Sequence, residues 1–361
     1  MATVHLITVL VLSGLCIVSS SDFVDLVKLY MDNNAAKRAA LMEYYAESDP
    51  AQLPGLSDSD LWKYLSSNSR DEFIVNRRGT VQENVYSGVC GLRPESRPED
   101  VSKRIAVGQQ STKSWPWQAE FILKDAGGRP KHHCGGTLLN ENYILTAAHC
   151  FNDWGKDEMF VRLGEYDRKH AQGVGPYEQN KDLACVFVHE DYKQHNQPKF
   201  LENDLALVRL STPVKITDYV RPACLPEVNE FKAGDKCFVT GWGYTDPMRY
   251  LMKDKPTVLR EAYVPLLSQE SCEIAYGTII NNAMVCAGSL SGGRRPDSCK
   301  GDSGGPLVCQ SAAGSWKLWG VVSWGWNYFC KPSPREPEPT VYARVETFLK
   351  WIEQKILTGS C

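Results

Sequence analysis

Asp297-Ser298-Cys299-Lys300-Gly301-Asp302-Ser303-Gly304-Gly305-Pro306-Leu307 sets a single serine among small residues and flanks it with two aspartates and a cysteine. Glycine has no Cβ, so a backbone built this way lets a substrate carbonyl approach the main chain closely. The N–H groups of Gly301 and Ser303 are then placed to converge on an oxygen that gains negative charge, where hydrolytic catalysis gains most. A lone Gly-x-Ser-x-Gly is weak evidence for such a site, and this longer string is far more specific.

A serine hydroxyl is a poor nucleophile unless a base takes its proton, and the base must itself be oriented. Thr146-Ala147-Ala148-His149-Cys150 supplies a histidine after the apolar run Tyr143-Ile144-Leu145. Asn203-Asp204-Leu205-Ala206-Leu207-Val208 supplies an aspartate leading into a strand-like run. Taken singly, each has a plainer reading. His149 is then a core histidine, or a zinc ligand with His132, His133 and Cys134. Three matches in one chain order outweigh that. Together the segments resemble the trypsin/chymotrypsin family of serine proteases, whose order is His, Asp, Ser. The resemblance implies that Ser303 attacks, His149 is the general base, and Asp204 orients and stabilises its imidazolium.

Residues 105–361 carry the resemblance. Within them, short β-rich runs at Gln118–Leu123, Phe160–Leu163, Leu205–Leu210, Cys237–Gly241 and Trp319–Trp324 alternate with turn residues, as in an all-β barrel or sandwich. The resemblance narrows this to two antiparallel six-stranded β-barrels with the site between them. Phe348–Leu357, apolar at Phe348, Leu349, Ile352 and Ile356, reads as a closing C-terminal helix.

Ahead of this domain, Leu6–Val18 is one apolar run ending in Ser19-Ser20-Ser21, too short for a comfortable membrane span and shaped like a secretory signal over residues 1–20. Residues 21–104 then read as a pro-segment. Phe23, Leu26, Val27 and Tyr30 fall at helical spacing, Pro50 and Pro54-Gly55 break the pattern, and Ser57-Asp58-Ser59-Asp60 opens a second helix before a polar linker. The chain is expected to be secreted, with no membrane partner. A net charge of −3 without a dense basic cluster also argues against nucleic acid.

Lys103-Arg104-Ile105-Ala106-Val107-Gly108 resembles the family's activation junction. Cleavage after Arg104, by an upstream trypsin-like protease, would free an amine at Ile105 that buries itself against Asp302 and orders the loop carrying Gly301. Thirteen cysteines fall to an even number once Cys16 leaves with the signal, which in a secreted chain reads as disulfides. The family pattern implies Cys134–Cys150, Cys237–Cys309, Cys272–Cys286, Cys299–Cys330 and Cys90–Cys224. Cys185 and Cys361 are left over and are expected to pair, tying the last helix to the first barrel. The Cys90–Cys224 bond would keep the pro-segment attached after cleavage, which favours a regulated protease over a freely diffusing one.

Specificity cues point two ways. Asp297 lies at the floor of the family's primary pocket and would attract arginine or lysine. Ser323-Trp324-Gly325 matches the edge that pairs with substrate backbone, and Gly325 keeps one wall open. Thr340, where trypsin-like members carry glycine, is instead similar to the elastase pattern and narrows the pocket. The reading adopted is an endopeptidase cutting after Arg or Lys, with an elastase-like pocket as the alternative and a non-catalytic homologue acting as a binding module as a rival of another class. Protein substrates and a serpin-type inhibitor are the implied partners, and no cofactor is called for. Glu165 and Glu178 match the ends of the family's calcium loop, but a solvated acidic turn is the plainer reading of that loop.

Overall fold

The computed structural model describes residues 90–94, 109–111, 114–124, 131–170, 177–197, 199–245, 251–288, 300–325, 339–359 and 361. The expected signal, pro-segment helices and activation junction Arg104–Ile105 lie outside the described residues, as do Asp297 and the Cys299–Cys330 pair. One compact unit runs from Val81 to Cys361.

Its first half contains β1 (Gln109–Gln110), β2 (Gln118–Leu123), β3 (Lys131–Leu138), β4 (Tyr143–Thr146), β5 (Met159–Leu163), β6 (Gln179–Val188), the hairpin β7 (Lys193–Asn196) and β8 (Lys199–Glu202), and β9 (Ala206–Leu210). Its second half contains β10 (Lys236–Gly241), β11 (Arg260–Pro265), helix α1 (Gln269–Tyr276), β12 (Met284–Ala287), β13 (Pro306–Gln310), β14 (Trp316–Trp324), β15 (Thr340–Arg344) and helix α2 (Leu349–Thr358).

Strands β2, β3, β4, β9, β6 and β5 close into an antiparallel barrel in that order. Closure leaves no strand edge to pair with another chain. Gly136 in β3 is there because a Cβ would sit 2.8 Å from Phe121 and 2.9 Å from Ile144, both inside the barrel. The second sheet runs β1-β11-β10-β13-β14-β15-β12. It curls so that Leu266, just after β11, bridges Ala287 at the end of β12. The two expected barrels are therefore present, the first closed and the second a curled sheet drawn together by one bridge, with β1 as an added strand.

Where the barrels meet, aromatic rings fill the gap. Trp115 lies edge-on to Trp316 at 5.0 Å and to Trp117 at 5.7 Å, and Phe238 meets Trp316 at 5.7 Å. Across the same seam Thr240 Oγ1 donates to Gln118 Oε1 at 2.6 Å. The segment around Cys90 docks here as well. The Arg93 guanidinium sits 3.5 Å over Trp115 and pairs with Glu261 at 2.8 Å, while Trp316 N–H donates to Gly91 O at 2.9 Å.

Helix α1 starts where Ser268 Oγ accepts the Ser271 N–H and stops at Gly277. Helix α2 stops at Gly359, which takes the left-handed conformation. It buries Ile352 and packs on the first barrel, where His189 meets Trp351 at 5.0 Å and Trp351 Nε1 donates to Glu190 at 2.7 Å. Disulfides join Cys90–Cys224, Cys134–Cys150, Cys185–Cys361, Cys237–Cys309 and Cys272–Cys286. Among the described residues no helix is long and apolar enough to cross a membrane.

Leu145 on β4 is fully buried in the core that supports the site. Truncating such a leucine removes its transfer energy and leaves a cavity. Leu145→Ala is expected to cost about 2–5 kcal/mol, read as a lower urea midpoint with an unchanged denaturant slope.

Candidate active site

Residues 300–305 form the turn that leads into β13. Its conformation needs glycine at two places, Gly301 at φ +106° and Gly304 at φ +76°. The turn is held by backbone bonds to both barrels. Gly135 N–H donates to Ser303 O at 2.8 Å from the first barrel, and Gly304 N–H donates to Val322 O at 2.8 Å in the second. A Cβ on Gly135 would lie 2.8 Å from Gly305 Cα, so glycine in β3 is what admits the turn. A side chain at Gly304 would overlap Thr146 and come within 3.2 Å of Ala147 N, the residues that lead to His149. Ser303 thus stands beside the histidine segment. Among the described residues, the Gly301 and Ser303 N–H groups donate to no protein acceptor, which is the requirement for groups that receive a substrate oxygen.

His149 sits in a single turn of 3-10 helix, Ala148–Phe151, directly after β4. The Cys134–Cys150 disulfide ties that turn to β3 and consumes both thiols, which removes the thiolates a zinc site would need. His149 donates twice to one carboxylate: its backbone N–H to Asp204 Oδ1 at 2.9 Å and its Nδ1 to Asp204 Oδ2 at 2.8 Å. Ser323 Oγ donates to the same Oδ2 at 2.5 Å. Asp204 is buried, and desolvation alone would push its carboxyl up. The charge and hydrogen bonds of His149, with that of Ser323, overcome this and hold it below the usual carboxylate range. For His149 burial opposes the charged form, yet Asp204 outweighs it and holds the imidazole above its ordinary value. Among the described residues Ser303 makes no side-chain hydrogen bond to His149. Such contacts are often loose without substrate.

Ser323, Trp324 and Gly325 end β14 and continue along the cleft. The Trp324 ring is flanked by Tyr276 at 5.1 Å and Phe200 at 6.2 Å. Thr340 opens β15 and is buried. A Cβ on Gly325 would stand 3.9 Å from Thr340 Cα and 3.8 Å from Tyr276 Oη, so these residues face one another across a narrow space. Tyr276 fixes the far side by donating to Pro339 O at 2.5 Å. Asp302 turns away from the cleft: Gly243 N–H donates to its Oδ1 at 2.8 Å, and a side chain at Gly241 or Gly243 would overlap its carboxylate.

The acidic turn differs from its plainer reading. Glu165 is buried rather than solvated, and its partner is internal, Arg162 Nη1 at 3.2 Å. Arg162 Nε also lies 4.0 Å from Glu178, so a guanidinium stands between the two carboxylates. Burial, then the nearby charge of Glu178, still pushes the Glu165 carboxyl up.

Sequence reading passed over the Ser323 hydroxyl and Glu120, and named His132 only as a candidate zinc ligand. The Ser323 hydroxyl, marked only for its backbone, completes the Asp204 shell. Glu120 and His132 form a buried pair that reaches the 300–305 turn through the Gly301 carbonyl. A charged residue inside the apolar run Gln118–Leu123 was the available signal for Glu120.

The Trypsin family matches residues 105–352 of this chain. Atrial natriuretic peptide-converting enzyme of Rattus norvegicus is 34% identical over 303 residues, covering 82% of this chain and 25% of that protein. The chain therefore spans about a quarter of the length of that relative.

Proposed function

The chain belongs to the trypsin family of serine proteases, and on that premise we propose a secreted endopeptidase, made as a zymogen activated after Arg104, that cuts protein substrates after arginine or lysine through an acyl-enzyme. One observation carries the catalytic part: Asp204 accepts both His149 N–H groups and the Ser323 hydroxyl, beside a turn whose Gly301 and Ser303 N–H groups are unengaged among the described residues.

In this reading neutral His149 takes the Ser303 proton as Oγ attacks the scissile carbonyl. The carbonyl oxygen gains a negative charge and accepts from the Gly301 and Ser303 N–H groups. The imidazolium, facing an ionised Asp204, returns the proton to the leaving amine, and water then releases the acyl group by the same steps. Activation is assigned to the Ile105 ammonium pairing with Asp302, whose carboxylate lies in the space left by Gly241 and Gly243. Such a buried pair needs good geometry to offset desolvation. The Cys90–Cys224 bond and the Arg93–Glu261 pair support retention of the cleaved pro-segment. The rat relative's name describes conversion of a peptide, which fits selective cleavage; the upstream activating protease and the serpin-type inhibitor rest on the family resemblance alone.

The buried Thr340 facing Gly325 favours a second reading of the pocket, narrowed toward small side chains. A turnover assay on the purified proform, before and after limited trypsin cleavage with trypsin then inactivated, separates these. It uses matched peptides with Arg, Ala or Phe before the cut bond. Activity only after cleavage and only on the Arg peptide is expected. Activity on Ala assigns the pocket to Thr340. No turnover despite a cut Arg104–Ile105 bond, with no labelling by a serine-directed phosphonate, would mean a non-catalytic homologue.

A further inference from the structure

Beneath the nucleophile turn lies a second carboxylate–histidine pair that the proposed chemistry does not use. Glu120 on β2 and His132 on β3 are both buried, with side-chain exposures of 2% and 1%. A bulge at His133 brings them to one face. The register passes from Phe121↔Cys134 to Ile122↔His132, so His132 shares the face that carries Ile122 and Glu120. His132 Nδ1 is 2.9 Å from Glu120 Oε1, and its Nε2 is 2.7 Å from the Gly301 carbonyl oxygen. Arg168 Nε holds the same Glu120 oxygen at 3.0 Å.

Both ring nitrogens therefore face acceptors. A neutral imidazole carries one N–H and satisfies one of them; the other contact would then set a lone pair against an oxygen. Both are hydrogen bonds only if the pair holds one proton more than a neutral imidazole beside a carboxylate. Burial opposes ionisation of Glu120, but the His132 hydrogen bond and charge, with Arg168 and Arg162, hold its carboxyl below the usual range. Around this cluster, among the described residues, also stand the titratable or charged groups Glu165, Lys255, Asp302, Lys131 and His133, the last held toward its neutral form by burial. Burial, then Arg168, brings the Lys255 ammonium down to about 8.

Gly301 is thereby gripped on both sides. Tyr244 N–H donates to Lys300 O at 3.1 Å, which fixes the peptide whose N–H is that of Gly301. His132 fixes the following peptide through the Gly301 carbonyl. We propose that Glu120, acting through a doubly protonated His132, is a positioning residue that locks Gly301 at φ +106° and so aims its N–H at the developing oxyanion. This inference rests on the serine protease reading.

The test is Glu120→Gln in the activated enzyme, with rates normalised to titrated active sites so that misfolded protein does not count. Arg168 Nε, which donates at the position facing Nδ1, keeps the glutamine oxygen there and the NH₂ away; glutamine then still accepts from Nδ1–H but brings no charge to hold the second proton, so Nε2 loses its grip on Gly301. The expected result is a kcat lowered by about 10–100-fold with KM within about twofold. A peptide aldehyde, whose adduct with Ser303 uses the oxyanion donors, should lose affinity by the same factor, while the matching peptide acid binds as before. A normalised kcat within twofold of the parent, or equal losses for aldehyde and acid, would overturn the proposal.

Should the variant not fold, the parent protein labelled with ¹⁵N-histidine decides. His132, assigned through its contact with the Trp242 ring at 6.1 Å, should show N–H on both nitrogens at neutral pH. A single ring N–H there refutes the lock. An activated parent that turns over no peptide would remove the protease reading instead, and the labelling result would still judge the pair.

Discussion

Ser303→Ala is expected to lower kcat on the order of 10⁶-fold while leaving the melting curve where it was. The two halves of that expectation have separate causes. Stability is untouched because the turn is held through main-chain groups: Gly135 N–H on Ser303 O, Gly304 N–H on Val322 O, and Gly305 N–H on Asp302 O. None of these uses the Ser303 hydroxyl. Turnover fails because His149 and Asp204 have nothing to activate once Oγ is gone. What survives comes from substrate positioning and the N–H groups of Gly301 and residue 303, which alanine retains. His149→Ala should lose a comparable factor, and the double variant should be scarcely worse than either single one, because residues acting as a unit are not additive. The measurement is single-turnover acylation of a peptide ester by activated protein, with thermal unfolding of each variant alongside. Near-normal acylation in either single variant would sink the assignment of Ser303 as nucleophile and His149 as base.

Different parts of this molecule left traces of different length in the sequence. The glycines around Ser303 are legible because close backbone approach leaves a local mark: Gly301 and Gly304 at positive φ, and Gly135 facing Gly305. Apolar runs such as Gln118–Leu123 and Trp319–Trp324 read as strands because both of their faces are buried. β3 was missed. Its His132-His133-Cys134-Gly135-Gly136 carries neither alternation nor β-branched residues, because Gly135 and Gly136 are needed where the 300–305 turn and Phe121 approach closely and His132 holds a buried polar pair, although Cys134 and Leu138 do join the core. β7 and β8 were missed because Lys193–Asn196 and Lys199–Glu202 are mostly polar, with Phe200 the one side chain they bury. The least legible features are side-chain bonds between distant segments. Nothing local in Ser323 announces a hydroxyl on Asp204, and nothing local in Glu120 announces a histidine on the neighbouring strand. Such pairs depend on strand register and, for His132, on a bulge.

Asp204→Asn is the second large effect, about 10⁴-fold in kcat. The aspartate accepts three donors, the backbone N–H and Nδ1–H of His149 and the Ser323 hydroxyl. Asparagine offers one acceptor oxygen and an NH₂, so it cannot serve all three. With the oxygen toward the His149 backbone N–H, the NH₂ faces Nδ1, and the imidazole must move its proton to Nε2. That nitrogen then has no lone pair for the Ser303 proton, and general-base catalysis stops. The pH profile gives an independent check. His149 must be neutral to act, so kcat/KM rises as pH rises through its pKa, which lies above the ordinary histidine value because Asp204 favours the imidazolium despite burial. Removing the carboxylate charge leaves the desolvation in place, so in Asp204→Asn the acid limb should shift to lower pH even as the plateau falls. The experiment is kcat/KM from acid to neutral pH for parent and variant, with active sites counted by phosphonate labelling. A lower plateau with an unmoved acid limb would mean that Asp204 does not set the His149 pKa, and an undiminished plateau would remove it from the catalytic machinery.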